Sequence, residues 1–389
     1  MTTRLYFSDS YLTQFDAAVQ AREDGGTRIV LDRTAFYPAS GGQPCDSGSL
    51  NGIGVIDVID EADTIVHVLE RPLDPCDRVQ GRIDWPRRFD HMQQHSGQHL
   101  LSAVFDSLYG YKTLSFHMGA DSSTIDLDTP SLEPARLREA EARANELVSL
   151  NSPVSVSFED AATVRDLRKE SGREGTLRIV TIDGFDRSAC GGTHVRATGE
   201  IGAVLLRRVE KIRGGSRVEF VCGLRAAMRA RADFDALSHA ARLFSAQLEE
   251  VPALIAAQIE QAKESEKARR RLALELASAR GRDLYTAAAP DAARMRRHLE
   301  RLDAALGDEL RATAQSYCAQ PLAVFIAASA NPPSVLMASS ADSGLDAGSL
   351  LKEALAAAGG KGGGNARLAQ GSLPSPEALE SLLAHLTAQ

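Results

Sequence analysis

Residues 92–102 read MQQHSGQHLLS, and this stretch carries the pattern from which the fold and the site are interpreted. His95 and His99 stand four positions apart in a segment whose apolar residues recur at helical spacing. In an α-helix this separation places both imidazoles on one face. His91 extends the same stripe by one turn, so the residues alone leave two overlapping His-x-x-x-His pairs open.

A second donor pair lies in residues 190–194, which read CGGTH. Gly191 and Gly192 allow a tight turn, so that the Cys190 thiolate and the His194 imidazole can converge on one point. Imidazoles with one thiolate suit Zn²⁺, and the two pairs together predict one shared Zn²⁺ per chain. Four protein ligands are typical of a structural zinc, so the sequence leaves open whether the metal is catalytic or only positions a substrate.

The bulk composition predicts an ordinary globular protein of two or three domains. The chain has 389 residues, of which 43% are hydrophobic and 25% charged. No apolar run reaches the ~18 residues that a membrane span needs. The N-terminus lacks an apolar signal segment, and the five cysteines are scattered and odd in number. We therefore expect a cytoplasmic protein without a disulfide framework and without a membrane partner.

The pattern along the chain predicts an α+β fold in four parts. Alternating segments indicate a small N-terminal antiparallel β-barrel, and helical and strand patterns indicate an α/β zinc-containing domain after it. A helical linker rich in Ala, Leu, Arg and Glu follows, with a break expected near Glu249-Glu250. A C-terminal α/β module, including a flexible cationic loop at 359–365, closes the chain. The predicted boundaries are 1–80, 81–223, 224–285 and 286–389.

Basic residues are unevenly distributed although the formal net charge is −8. Between Arg207 and Arg231 eight basic residues are interrupted by only two acids. Local basic stripes of this kind can hold phosphates, although a solvated helix or strand face is the alternative. The residues predicted to contact nucleic acid are Arg207, Arg208, Lys211, Arg213 and Lys361.

Two further clusters offer polar groups to a small substrate. Gly41 and Gly42 allow close backbone approach, and the amide of Gln43 both donates and accepts hydrogen bonds. The hydroxyls of Thr113, Ser115 and Thr124 form the second cluster. Each cluster is also compatible with ordinary turns and strands, and both are kept as candidate substrate-binding groups.

In order and spacing, these motifs resemble those of alanyl-tRNA editing proteins of the AlaX type, in their long form with a C-terminal DHH-associated module. The resemblance rests on residues 36–43, 92–102, 190–202 and 359–371. It implies a zinc-dependent hydrolase that deacylates tRNA(Ala) mischarged with serine, with glycine as an open second substrate. It also implies that the metal-binding and catalytic residues are His95, His99, Cys190 and His194, and that His91 is not a ligand.

One position departs from the pattern, because synthetase members of the family often carry a hydroxyl residue where this chain has Gln98. The group that reads the serine hydroxyl is therefore open among Gln43, Thr113, Ser115 and Thr124. Three alternatives remain: hydrolysis of a small ester or amide, RNA binding around a structural zinc, and editing of another tRNA. A homodimer through the helical linker or the C-terminal module is also left open, as are the elements that contact the acceptor stem.

Overall fold

The computed structural model describes residues 1–170, 172 and 174–388, and the chain divides into two compact units, Met1–Ala240 and Ala241–Gln389. The elements of the first unit, in chain order, are β1 (Thr3–Arg4), β2 (Gln14–Glu23), β3 (Arg28–Leu31), β4 (Arg33–Thr34), β5 (Gly48–Leu50), β6 (Ile53–Glu61), β7 (Thr64–Leu69), β8 (Arg78–Ile83), α1 (Trp85–Tyr109), β9 (Thr113–Met118), β10 (Ser123–Leu127), α2 (Pro134–Ser149), β11 (Val154–Asp160), β12 (Thr176–Ile182), β13 (Asp186–Ala189), β14 (Val204–Ile212) and β15 (Gly215–Cys222).

The chain continues through α3 (Gly223–Phe244), a 3₁₀ turn at Leu248–Glu250, and the long helix α4 (Val251–Ala287). The predicted break near Glu249-Glu250 is confirmed, and Pro252 lies in the first turn of α4, where a proline is tolerated. The remaining elements are β16 (Arg296–Leu302), α5 (Asp308–Cys318), β17 (Ala323–Ala330), β18 (Pro333–Ser339), α6 (Ala347–Ala357), β19 (Lys361–Gly364), β20 (Leu368–Ser372) and α7 (Pro376–Ala388).

The predicted N-terminal antiparallel sheet is confirmed, and its strands pair in a closed ring in the order β2-β3-β7-β6-β5-β8. Alternate side chains of β8 are buried, as a strand with one face on a core requires. Gly81 of β8 leaves room for Phe15, whose ring would lie 2.3 Å from a Cβ at that position. The ring therefore encloses an apolar core that includes Phe15, Phe36 and Leu50.

Helix α1 lies at the centre of the second core of this unit. It begins at Trp85, with Pro86 in its first turn, and ends at Tyr109 before Gly110, which adopts a left-handed conformation with φ of 70°. The helix contacts the antiparallel sheet β14-β15-β10-β9, helix α2 and strand β13. Strand β13 belongs to a separate antiparallel sheet, β11-β12-β13. This packing brings the 190–194 segment, which follows β13, to the face of α1 that carries the histidines.

A fully buried arginine on α1 joins three segments of the first unit. Arg88 donates to both carboxylate oxygens of Asp46, to the Ser10 carbonyl at 2.8 Å and to the Ala35 carbonyl at 2.6 Å. Arg88 is 0% exposed and Asp46 is 1% exposed. The ion pair therefore fixes the segment that carries the Gly41-Gly42 turn against α1.

The second unit contains a five-stranded mixed sheet in the order β16-β17-β18-β20-β19, in which only the β16–β17 pair is parallel among the described strands. The predicted flexible loop at 359–365 is wrong, because Lys361–Gly364 forms an edge strand paired with β20. Its glycines have little strand propensity of their own, and backbone pairing with β20 supplies the order. The α+β class is confirmed, whereas the four-part domain division stays a prediction. Within the described part of the chain, the structure contains no helix that is long and apolar enough to cross a membrane.

We expect Arg88→Ala to destabilise the protein by about 3–5 kcal/mol, because it leaves the buried Asp46 carboxylate without its cation. The neighbouring Arg87→Ala is the matched control, since Arg87 is exposed and makes one hydrogen bond, to the Cys45 carbonyl. Urea unfolding of the wild-type protein and of each variant, followed through the transition of the first unit, gives the two changes in the free energy of unfolding. Equal, small losses for the two variants would contradict the role given to Arg88.

Candidate metal centre

Two histidines of α1 form the first half of the centre. His95 and His99 are one helical turn apart and are 3% and 5% exposed, with ring centroids 5.3 Å apart. Gly97 between them is required by packing, because a Cβ there would lie 2.3 Å from the Cys222 sulfur. The helix can therefore lie close to β15 while its histidine face points to the 190–194 segment.

The second half is the turn that follows β13. The Cys190 amide donates to the Arg178 carbonyl of β12 at 3.0 Å, and the Gly192 amide donates to the Cys190 sulfur at 3.3 Å. A Cβ on Gly192 would lie 2.2 Å from the His95 ring. Only glycine at this position lets the turn approach α1 closely enough for the two halves to meet.

The four predicted donors converge. The Cys190 sulfur lies 3.4 Å from Nε2 of His95 and 3.4 Å from Nε2 of His194, and the candidate ligand atoms of all four residues lie within 4.8 Å of one another. The His194 ring centroid is 4.5 Å from that of His95 and 4.6 Å from that of His99. His91 is outside this group of four, as the family resemblance implied.

Polar groups behind the imidazoles fix their orientation. Nδ1 of His95 donates to Oε1 of Gln43 at 2.7 Å, which leaves Nε2 to face the thiolate. Nδ1 of His194 lies 3.1 Å from the Ser96 hydroxyl. Such outer partners select the ring nitrogen that can bind a metal.

His99 is backed by an ion pair. Its Nδ1 lies 3.7 Å from a carboxylate oxygen of Asp186, beyond hydrogen-bond distance. Asp186 is itself held by Arg168 at 2.8 Å and by the Ser188 hydroxyl at 3.0 Å. Burial alone would lower the pKa of His99, but the fields of Cys190 and Asp186 raise that pKa to about 9.

The same cluster favours an ionised thiol. Burial opposes ionisation of Cys190, yet its interactions with the neighbouring histidines, including a hydrogen bond from His194, outweigh burial and hold the pKa of the thiol well below its ordinary value. Burial lowers the pKa of His194 to about 3, so this imidazole is neutral at pH 7. A thiolate and a neutral imidazole are the forms that bind metal ions.

The donor geometry fits a tetrahedral ion. Zn–S and Zn–N bonds of about 2.3 and 2.0 Å at tetrahedral angles place sulfur and nitrogen about 3.5 Å apart. The two measured sulfur–nitrogen separations are both 3.4 Å. The residues present could therefore hold Zn²⁺ without rearrangement of these two imidazoles and the thiolate.

A cavity of about 540 Å³ opens beside the cluster, a volume in the usual range for small-ligand sites. Two larger cavities, of about 780 and 700 Å³, are lined only by residues of the second unit, so size alone does not identify the site. The cavity beside the cluster is lined by three of the donors, by aromatic, polar and basic groups, and by the acidic residues Asp60 and Glu174. These lining residues include His95, His99, Cys190, Tyr37, Phe7, Phe116, Phe158, Gln98, Gly41, Arg4 and Arg178.

The predicted Gly41-Gly42-Gln43 segment lies against the centre. Ser40 and Gln43 exchange backbone hydrogen bonds, and both glycines have positive φ, as a two-residue hairpin turn requires. Gly41 lines the cavity, and its amide has no hydrogen-bond partner among the described residues. Gln43 is buried and bonds His95 and Thr193, so it supports the cluster and does not line the cavity.

The three predicted hydroxyl groups lie elsewhere. Ser115 donates to Asp126, which pairs with Arg217 across the sheet, and Thr124 stands opposite His117 on the neighbouring strand. Thr113 donates to the Ser102 hydroxyl at 2.7 Å. None of the three is among the described residues that line the cavity.

Gln98 is the polar cavity residue that sequence reasoning passed over. It lies on α1 directly before His99, lines the cavity, and donates from Nε2 to the Ser102 hydroxyl at 2.8 Å. Because Ser102 also accepts from Thr113, the amide is anchored at its nitrogen end. The available signal was its position beside His99, where the family pattern already differed.

The predicted phosphate contacts are spread over the surface. Arg207 pairs with Asp233, and Arg208 lies 3.0 Å from Glu210 and is 71% exposed in its side chain. Lys211 and Arg213 are exposed at the β14–β15 turn, and Lys361 lies on the exposed edge strand of the second unit. The first four residues lie along β14 and in its turn to β15.

Comparison with protein families places three known domains along the chain. Residues 9–87 match the class II (A) tRNA synthetase family, and residues 177–218 match the second additional domain of threonyl and alanyl tRNA synthetases. Residues 300–389 match the DHHA1 domain. The first two matches together cover the strand ring and the Cys190 turn.

Curated relatives of the chain include alanyl-tRNA editing proteins and alanine–tRNA ligases. The chain is 40% identical to alanyl-tRNA editing protein Aarsd1-A of Xenopus laevis, over 48% of this chain and 46% of that protein. It is 38% identical to Aarsd1 of Mus musculus, over 52% of this chain and 54% of that protein. It is also 32% identical to the alanine–tRNA ligase of Korarchaeum cryptofilum, over 96% of this chain and 43% of the ligase.

The chain thus spans about half the length of the curated relatives it matches. The domain matches follow one another in the order in which the motifs occur in the sequence. The chain belongs to the family that comprises the alanyl-tRNA editing proteins and the alanine–tRNA ligases.

Proposed function

We propose that this protein is a zinc-dependent hydrolase that deacylates tRNA(Ala) mischarged with serine. The observation that carries the proposal is the convergence of His95, His99, Cys190 and His194 beside a cavity of small-ligand size. The names of the relatives support tRNA(Ala) as the carrier. The five cysteines are all free, which agrees with the cytoplasmic location that we also propose.

The reaction is the addition of water to an ester. Water attacks the carbonyl carbon, the bond to the ribose 3′ oxygen breaks, and serine and a free tRNA 3′ end are released. A bound Zn²⁺ would supply a Lewis acid for the ester carbonyl. The four donor residues would hold that ion, and Gln43 and Ser96 keep the imidazoles of His95 and His194 in the orientation that binding needs.

Backbone at the glycine turn completes the electrostatic environment. Gly41 lines the cavity, and its amide has no hydrogen-bond partner among the described residues. A backbone amide at the cavity wall could donate to the developing negative charge on the ester oxygen. Glycine at position 42 is needed because a Cβ there would lie 2.5 Å from the Phe116 carbonyl. The turn therefore holds Gly41 at the cavity wall by packing tightly against β9.

We assign recognition of the serine hydroxyl to Gln98. Its nitrogen is committed to Ser102, so its carbonyl oxygen is the group that can accept a hydrogen bond from a substrate hydroxyl. Alanine has no hydroxyl and would leave that oxygen unpaired, which disfavours Ala-tRNA(Ala). Glycine also lacks the hydroxyl, so Gly-tRNA(Ala) is expected to be cleared more slowly than Ser-tRNA(Ala).

Metal content tests the donor set. The purified protein is expected to contain one zinc per chain, and Cys190→Ala or His99→Ala is expected to lower the content several-fold, because each removes one of four ligands. The control is His91→Ala, which alters the same helix one turn away and leaves the four donors in place. Elemental analysis gives the molar ratio of zinc to protein. Unchanged zinc in both ligand variants would refute the assignment.

Deacylation assays test the reaction and its selectivity. The zinc-loaded protein is expected to clear Ser-tRNA(Ala) faster than Ala-tRNA(Ala), and Gln98→Ala is expected to narrow that ratio by about tenfold or more. Ser115→Ala is the control, because its hydroxyl is bonded to Asp126 away from the cavity. Selectivity lost in the Ser115 variant and kept in the Gln98 variant would overturn the assignment.

The same assay separates the alternatives. A hydrolase of small esters would cleave seryl methyl ester at least as efficiently as Ser-tRNA(Ala). An RNA-binding protein with a structural zinc would bind the tRNA and release no serine. Preferential cleavage of Ser-tRNA(Ala) is the outcome that the proposal requires.

Salt dependence tests the tRNA interface. Combined Arg208→Ala, Lys211→Ala and Arg213→Ala substitutions are expected to weaken tRNA binding. They are also expected to reduce the dependence of log Kd on log salt by about 0.7–0.9 for each phosphate that these side chains neutralise. A matched control replaces three exposed arginines of β8 and the loop before it, namely Arg71, Arg78 and Arg82. Binding measured by fluorescence anisotropy at several salt concentrations gives both slopes. Identical slopes in the two triple variants would exclude the β14–β15 segment as a tRNA-binding surface.

A further inference from the structure

Arg178 of β12 is a buried cation with an unused donor. It is 7% exposed, its Nε donates to the Phe7 carbonyl at 2.9 Å, and its Nη1 donates to the Cys190 carbonyl at 2.7 Å. Its remaining nitrogen, Nη2, is buried and has no hydrogen-bond partner among the described residues. Both acceptors are neutral carbonyls, and no carboxylate among the residues that the structure describes forms an ion pair with this guanidinium.

Such an arrangement is costly unless a ligand completes it. A buried charged donor without an acceptor loses the hydration that it had in the unfolded chain. Arg178 is also one of the residues that line the cavity beside the donor cluster. The unpaired nitrogen therefore belongs to a side chain at the cavity wall, although the atom itself is buried. An anionic oxygen is the acceptor that suits a guanidinium best.

An exposed aromatic residue stands opposite Arg178 on the neighbouring strand, while the guanidinium itself lies over the Phe7 ring at 5.5 Å. Phe158 of β11 is directly opposite Arg178 in the strand register, so the two side chains project from the same face of the sheet. Phe158 is 55% exposed and lines the same cavity. An accessible ring near an arginine with an unused donor is a combination by which proteins bind a nucleotide, with the base stacked and the phosphate paired.

We propose that Arg178 and Phe158 form the subsite for the 3′-terminal nucleotide of the tRNA, with Nη2 of Arg178 donating to its 5′-phosphate and the Phe158 ring stacking on its base. The proposal rests on the proposed function, because it uses the cavity that would hold the aminoacyl end. Arg178 also holds the Cys190 carbonyl, so one side chain would connect the nucleotide to the turn that carries the thiolate.

Two minimal substrates isolate the phosphate. One is adenosine 5′-phosphate esterified with serine at its 3′ hydroxyl, and the other is the same ester of adenosine without the phosphate. The zinc-loaded wild-type protein is expected to hydrolyse the phosphorylated ester with a kcat/KM at least about tenfold higher, as a charge-assisted hydrogen bond provides. Equal kcat/KM values for the two esters would overturn the proposal without any variant.

Variants then assign the effect to residues. The Arg178→Gln variant, with its zinc content measured in the same preparation, is expected to cleave the two esters with equal kcat/KM. If it still prefers the phosphorylated ester, Arg178 is not the residue that binds the phosphate. Phe158→Ala is expected to lower kcat/KM for both esters about fivefold or more and to keep the phosphate preference. Its control is Val156→Ala, an exposed apolar residue two positions earlier on the same strand, which is expected to leave both values unchanged. An equal loss in the two variants would exclude stacking on Phe158.

An assay with full-length Ser-tRNA(Ala) distinguishes failure of the nucleotide subsite from failure of the proposed function. If Ser-tRNA(Ala) is deacylated while the phosphate makes no difference, the nucleotide subsite is wrong and the proposed hydrolase stands. If Ser-tRNA(Ala) is not deacylated, the proposed function fails and the subsite fails with it.

Discussion

The structure of the first unit depends on bringing a thiolate and three imidazoles together in a buried space. The Cys190 sulfur is 3.4 Å from two ring nitrogens, and His95, His99 and His194 are each about 95% buried or more. Without a shared ion, so many polar atoms in one place would cost more than their mutual hydrogen bonds return. The glycines at 97 and 192 make the approach sterically feasible, since any side chain at either position would overlap its neighbour.

Supporting contacts extend from this centre into the fold. Gln43 reaches His95 from the turn after the strand ring, and Asp186 approaches His99 from β13. Arg88 holds the ring's connecting segment against α1 through its buried ion pair with Asp46. The centre therefore requires the ring, the helix and the β11-β12-β13 sheet to fold as one unit.

Much of this was predictable from local patterns. The limits of α1, the break before α4 and the pairing of the two donor motifs follow from helical spacing, capping residues and ligand chemistry. The residues that line the cavity were not predictable from local patterns. Strand register and helix packing bring Gln98, Arg178 and Phe158 together over long sequence distances. The strand at Lys361–Gly364 was missed for a related reason, since its order comes from its partner strand and not from its glycines.

The four side chains of this centre would together hold a single zinc ion. X-ray absorption at the zinc edge of the purified protein measures the ligand atoms directly. One sulfur at about 2.3 Å with three nitrogens at about 2.0–2.1 Å is the result that the account predicts. A first shell of oxygen and nitrogen alone, or one with two or more sulfurs, would contradict it.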